Sequence, residues 1–173
     1  MEKLNKYIKQ IYLPVAIILV LSFSRLIPHP WNFTPIIAAG VFSGFYFKNF
    51  ILSSFIVVCS MFIGDIFIGF HDTMFFTYIS LVAAASFGIL IKNFKVLETL
   101  FAGLASSVSF FIITNFGSWL TLDMYEKNFS GLINSYILAI PFFHNTVLST
   151  LIYLAILKII FDFSIKKTIK LTS

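Results

Sequence analysis

Polar side chains are scarce in this chain, and most of those able to do chemistry fall near the ends of long apolar runs. Arg25 closes the first run, and His29, Trp31 and Asn32 follow it. Asp65 stands late in the third run, between Gly64 and the His71-Asp72 pair. Asn115 and Trp119 share one helix face at i, i+4 spacing, and His144 and Asn145 come just after Pro141. A carboxylate inside an apolar run is expensive unless it is paired or protonated, so Asp65 is the sharpest of these residues. Two uses are open to it: an ion pair with Arg25, or a role toward a ligand. Arg25 would meet a carboxylate or phosphate on a solute if Asp65 does not already neutralise it. Asp65, Asn115, His144 and Asn145 would supply directional hydrogen bonds, and Trp31 or Trp119 would stack on an apolar ring. Each also has a plainer use. Tryptophans at headgroup depth form aromatic belts, and amides or histidines bond between neighbouring helices.

Other chemistries find no support. No P-loop, dinucleotide fingerprint, G-x-S-x-G or pair of catalytic carboxylates occurs, so neither an enzyme nor a cofactor is expected. His29, His71 and His144 lie in three separate segments and fit no helix-borne metal motif, so no metal site is assigned. Cys59 stands alone in an apolar run, which excludes a disulfide framework. The sequons at Asn32-Phe33-Thr34 and Asn128-Phe129-Ser130 are short enough to arise by chance.

The elements that must position these residues follow from composition. Hydrophobic residues are 59% of the 173, charged residues only 11%, and mean hydropathy is +0.97. Soluble domains carry roughly 25% charged residues. The chain therefore reads as an all-α integral membrane protein with a single domain, residues 1–173. A bilayer-crossing helix needs about 20 mostly apolar residues. Six spans are expected, over about 8–27, 34–47, 50–70, 74–91, 97–120 and 136–161, with a polar loop over 121–134. The first is read as a retained helix, because no small-residue cleavage pattern precedes Pro28. The second is short, and its Ala38, Ala39, Gly40 and Gly44 suit close packing within a bundle. Pro141 is expected to kink the sixth helix or mark its start.

Charge sets the orientation. With both termini cytoplasmic, Lys3, Lys6, Lys9, Lys48, Lys92, Lys95, Lys158, Lys166, Lys167 and Lys170 fall inside, against only Arg25 and Lys127 outside. The net charge of +5 then reflects orientation and contact with anionic headgroups of the lipid bilayer, and no nucleic-acid partner is expected. The bias toward Lys, Ile, Phe and Asn hints at a bacterium, whose inner (plasma) membrane would hold the protein as a multi-pass bundle. In this frame the polar candidates all project to the outer side. A through-pore would carry polar groups along its whole length, so the pattern predicts a pocket open outward and closed below.

The string Arg25-Leu26-Ile27-Pro28-His29-Pro30-Trp31-Asn32-Phe33-Thr34-Pro35 resembles the signature of an uncharacterised family of small bacterial membrane proteins classed as transport proteins. The small-residue helix, Gly64-Asp65, Gly69-Phe70-His71, Asn115 near Trp119, and Tyr136 to Asn145 fit the same pattern. That family in turn resembles the substrate-binding S components of energy-coupling-factor (ECF) transporters. The likeness spans roughly residues 25–150. It implies six helices, a solute pocket near the outer surface covered by the first outer loop, and two kinds of partner: a transmembrane coupling subunit and a pair of cytoplasmic ATPases. The sequence departs in one place. S components commonly show an Ala-x-x-x-Ala stripe on the first helix, whereas residues 11–24 here hold only Ala16.

The leading expectation is a small-solute uptake or binding subunit, with the solute held among Arg25, His29, Trp31, Asn32, Asp65, Asn115, Trp119, His144 and Asn145. A non-transporting scaffold of a cell-envelope complex is the alternative; it predicts that these groups pair with one another and leave no cavity. An intramembrane enzyme using His and Asp ranks third.

Overall fold

The computed structural model describes Tyr12 and residues 15–172, with side chains described as far as Phe163. Lys3, Lys6, Lys9 and most of the first seven residues expected in the first span lie outside the described residues, as do the side chains of Lys166, Lys167 and Lys170. The described chain is all-helical, with six helices: α1 (Val15–Ser24), α2 (Ile36–Phe47), α3 (Phe50–Ile68), α4 (Met74–Leu90), α5 (Val96–Thr121) and α6 (Phe129–Thr172). Three apolar segments, Phe50–Ile68, Val96–Thr121 and Phe129–Phe163, are long enough to cross a membrane.

The residue distribution is turned inside out relative to a water-soluble bundle. Among the fully or nearly fully buried side chains are Ser22, Ser43, Ser53, Ser60, Ser80, Ser106, Ser107 and Thr150, while Phe55, Phe67, Phe101, Leu138, Ile159 and Phe163 are among many large apolar groups on the outside. Water would penalise such a surface. Lipid does not, and small or hydroxyl-bearing residues let helices approach closely inside it.

The short α2 is the centre of the bundle, touching α3, α4, α5 and α6. From Ile36 to Gly44 only Phe42 escapes full burial. Its small residues meet α4 backbone to backbone. A Cβ on Gly44 would lie 2.0 Å from the Ala85 carbonyl oxygen, and one on Gly88 would lie 2.0 Å from that of Val41. Gly40 faces Ala84 in the same crossing, so the two helices interlock through reciprocal small residues.

Helix ends depart from the sequence reading for local reasons. α1 ends at Ser24, three residues before the expected Ile27, and Arg25 falls in the turn beyond it. α3 stops at Ile68 because Gly69 takes φ +112°, a region that L side chains rarely adopt. The largest correction concerns α6. It begins at Phe129, seven residues before the expected start, and takes in the last six residues of the expected 121–134 loop. Asn128 explains this: its Oδ1 accepts from the Gly131 amide at 2.8 Å, a side-chain N-cap. Pro141 lies inside α6 and does not begin it.

At one end of the bundle the connections are closed by aromatic rings. Phe94, buried with φ +46°, stacks on Phe45 at 4.3 Å between centroids and meets Phe42 and Phe161 edge-on. Lys48 Nζ donates to the carbonyls of Ile89 and Ile91, capping the C-terminal end of α4. The other end holds a cavity.

Candidate functional site

The C-terminal ends of α1, α3 and α5 and the N-terminal ends of α2, α4 and α6 surround a cavity of about 630 Å³. Its walls include Arg25, His29, Trp31 and Asn32 from the first connection, Thr73 just before α4 and Thr77 within it, and Phe142, Phe143 and Thr146 from α6. α5 contributes Phe110, Phe111, Thr114, Asn115 and Ser118. Those five positions follow one another at alternating one- and three-residue steps, which places them on a single helix face.

Among the described residues, Arg25 is the fixed cation lining this cavity, and it is already engaged. Arg25 Nη1 donates to Asp65 Oδ1 at 2.7 Å and to the Met61 carbonyl at 2.9 Å. Tyr78 donates its hydroxyl to Asp65 Oδ2 at 2.7 Å. The Asp65 side chain has no exposed surface, so both carboxylate oxygens are satisfied where water cannot reach them. Gly64 makes this possible: a Cβ there would come within 2.6 Å of Arg25 Nη1 and 3.2 Å of its Cδ. The guanidinium lies across α3 in the space of the missing side chain. Arg25 and Asp65 thus pair with each other, and Tyr78 is a third member that no spacing in the sequence indicated.

The first connection is fastened to α6. Asn145 Nδ2 donates to the Trp31 carbonyl at 3.1 Å, and the Ser149 hydroxyl proton is shared between the Thr146 carbonyl at 3.1 Å and that of Asn32 at 3.4 Å. Asn32 holds φ +60°, a left-handed conformation that asparagine tolerates better than most residues. The Phe33 ring packs on Tyr153 at 6.1 Å. Trp31 is 80% exposed at the rim. His29 Nδ1 approaches the Ile27 carbonyl at 2.5 Å, which requires the proton on that nitrogen.

The cavity walls are rich in oxygen acceptors. Thr77, Thr114, Ser118 and Thr146 each donate a hydroxyl proton to a carbonyl four residues earlier in the chain, at 2.7–3.2 Å. Asn115 Nδ2 does the same to Phe111 at 2.8 Å. With their protons directed into the backbone, the hydroxyl oxygens keep lone pairs for a guest. The rings of Phe111 and Phe143, 4.6 Å apart, form the apolar part of the wall.

Of the nine residues expected at the site, Arg25, His29, Trp31, Asn32 and Asn115 line the cavity. Asp65 stands behind Arg25. Asn145 holds the loop. His144 is exposed on α6. Trp119 sits one turn beyond Asn115, with Nε1 donating to the Glu126 carbonyl at 3.0 Å and its ring against Phe116. The hydroxyls of Thr77, Thr114, Ser118 and Thr146 were not singled out from the sequence. Thr114 and Ser118 flank Asn115 at i−1 and i+3, and that face was their only signal. Among the described residues, no group of three or more His, Cys, Asp or Glu side chains is placed to hold a metal ion.

The sequence model of DUF6580, a family of unknown function, matches residues 5–171. No curated protein and no solved structure matches the chain. The chain belongs to the DUF6580 family.

Proposed function

We propose that this DUF6580 protein binds a small uncharged solute in its cavity and serves that solute's uptake, as a substrate-binding membrane subunit similar to an S component. In this reading all six helices cross the inner membrane of a bacterium, both termini are cytoplasmic, and the cavity opens outward. Charge supports the orientation. Lys48, Lys92, Lys95 and Lys158 lie toward the aromatic end, whereas Arg25 and Lys127 lie toward the cavity end. A transmembrane coupling subunit with cytoplasmic ATPases is the energising arrangement that the resemblance implies, and co-purification from native membranes tests it.

The observation that carries the reading is a cavity whose cation is already neutralised. A carboxylate or phosphate entering it would lose hydration without gaining an unpaired counter-charge. The hydroxyl oxygens favour a guest that donates N–H or O–H bonds, and the phenylalanines favour one with an apolar or aromatic face. The volume of about 630 Å³ falls in the range of roughly 300–1,000 Å³ usual for small-molecule sites.

A scaffold reading draws on a different observation: Asp65, Trp119 and Asn145 are all bonded within the protein. Thermal unfolding of the purified protein against a panel of neutral aromatic heterocycles and their carboxylated or phosphorylated analogues separates the two. Binding to the folded state alone raises stability by about 2.7 kcal/mol at a hundredfold excess over Kd. Uncharged donors should raise the melting temperature progressively with concentration. A flat response across the panel favours the scaffold, and a preference for anionic analogues refutes the neutral-solute assignment.

A further inference from the structure

Beneath the cavity lie hydroxyls that the described protein leaves unanswered. Ser106, Ser107 and Thr150 are completely buried, and their oxygens have no hydrogen-bond partner among the described residues. They are placed together by helix geometry. Ser106 and Ser107 lie one turn below the cavity-lining Phe110 and Phe111 on α5, and Thr150 lies one turn below Thr146 on α6. The two helices pack closely there: a Cβ on Gly103 would sit 2.7 Å from Leu154 Cδ1, 3.3 Å from Leu151 Cδ2 and 3.6 Å from Thr150 Cγ2. Gly103 is one turn below Ser106 and Ser107 on the same face.

An unpaired hydroxyl inside a lipid-facing bundle is costly, and buried polar groups that lack protein partners are generally met by ordered water. The seam lacks any carboxylate of its own, which disfavours a cation and leaves water as the fitting occupant. The α2–α4 contact differs in kind: there Gly44 and Gly88 bring backbone against backbone, whereas Gly103 meets only side chains, which can shift to admit a water. We infer that Ser106, Ser107 and Thr150 hold ordered water in a polar seam between α5 and α6, which extends the cavity one helical turn deeper into the bundle. The seam rests on the buried hydroxyls and does not require that the cavity bind a solute.

Thiol chemistry tests this directly, because a cysteine reacts as its thiolate and the thiolate forms only where water reaches it. In a Cys59→Ser background, Ser107→Cys and Thr150→Cys are exposed to a small water-soluble methanethiosulfonate. Leu81→Cys, equally buried on α4 beside the bonded Ser80 hydroxyl, is the dry control, and Asn115→Cys reports on the cavity itself. Reaction of both seam cysteines at least about tenfold faster than Leu81→Cys is the expected result. Rates equal to that control overturn the seam. If Asn115→Cys still reacts in that case, the cavity stands without it; if Asn115→Cys is also inert, the cavity fails as well. Should the cysteine variants not fold, Ser107→Ala with Thr150→Val decides. Loss of bridged water should lower the melting temperature, whereas a neutral or raised value means the hydroxyls were dry and unpaired.

Discussion

The two ends of this bundle solve the same packing problem with opposite materials. At one end Phe42, Phe45, Phe94 and Phe161 interlock, and Lys48 closes the last carbonyls of α4. At the other, threonines, a serine and an asparagine ring an open volume, and a proline-rich connection is tied across it to α6. Apolar rings can fill space without leaving polar atoms unanswered. Hydroxyl walls leave lone pairs facing an open volume, whereas the hollow beside the aromatic end is lined mainly by Phe87, Leu90, Ile91 and Phe101. Under the proposed solute-binding reading, substitutions at the two ends should separate stability from recognition.

The largest effect is expected at Asp65. Asp65→Ala strands the Arg25 guanidinium beside the Met61 carbonyl, and breaking a buried pair on one side costs about 3–5 kcal/mol. Thermal or denaturant unfolding measures it. Replacing both partners, Arg25→Met with Asp65→Leu, should restore much of that loss, because an apolar pair of similar volume is often neutral. If Asp65→Ala were as stable as the parent, the ion pair would not be holding α1 against α3, and the cavity's neutrality would need another cause.

This site also shows what could be read in advance. Asp65 and Arg25 stood out because charge within apolar runs is rare, and their pairing was one of two open uses. Tyr78 was invisible: it joins from α4, and no local periodicity links a tyrosine to a carboxylate thirteen residues earlier. The small residues of α2 announced close packing, since Ala and Gly have little other use in so apolar a stretch. The start of α6 was missed because Asn128 looks like loop composition until its side chain is seen capping Gly131. Thr114 and Ser118 were missed for a related reason. Hydroxyls are common in membrane-type helices, where most bond to their own backbone, and these do so as well. Only the tertiary arrangement of six helix ends shows that their remaining lone pairs face a shared space.

At the aromatic end, Phe94→Leu removes part of a ring that contacts three others. Three carbons fewer, at about 0.8 kcal/mol per buried methylene, predict a loss of about 2 kcal/mol in unfolding free energy. The same variant should leave any solute-induced rise in melting temperature unchanged, because Phe94 does not line the cavity. A parallel loss of the ligand response would mean that the two ends are mechanically coupled and that the plug belongs to the binding apparatus.

The smallest effect on stability, and the most discriminating, is expected at Thr114. Thr114→Val keeps shape and volume. It removes a hydroxyl whose proton already goes to the Phe110 carbonyl at 2.7 Å, and that carbonyl retains its helical amide partner. Unfolding free energy should therefore change by no more than about 0.5 kcal/mol. The cavity would lose one acceptor, and a solute donor left unpaired costs about 1–3 kcal/mol, which is a five- to hundredfold weakening of Kd or more. Concentration-dependent melting of the parent and the variant against the same neutral solute gives both numbers from one titration. An unchanged stability with a displaced binding curve assigns the hydroxyl wall to recognition. An unchanged curve together with lost stability would return Thr114 to plain packing and leave the cavity end as inert as the aromatic one.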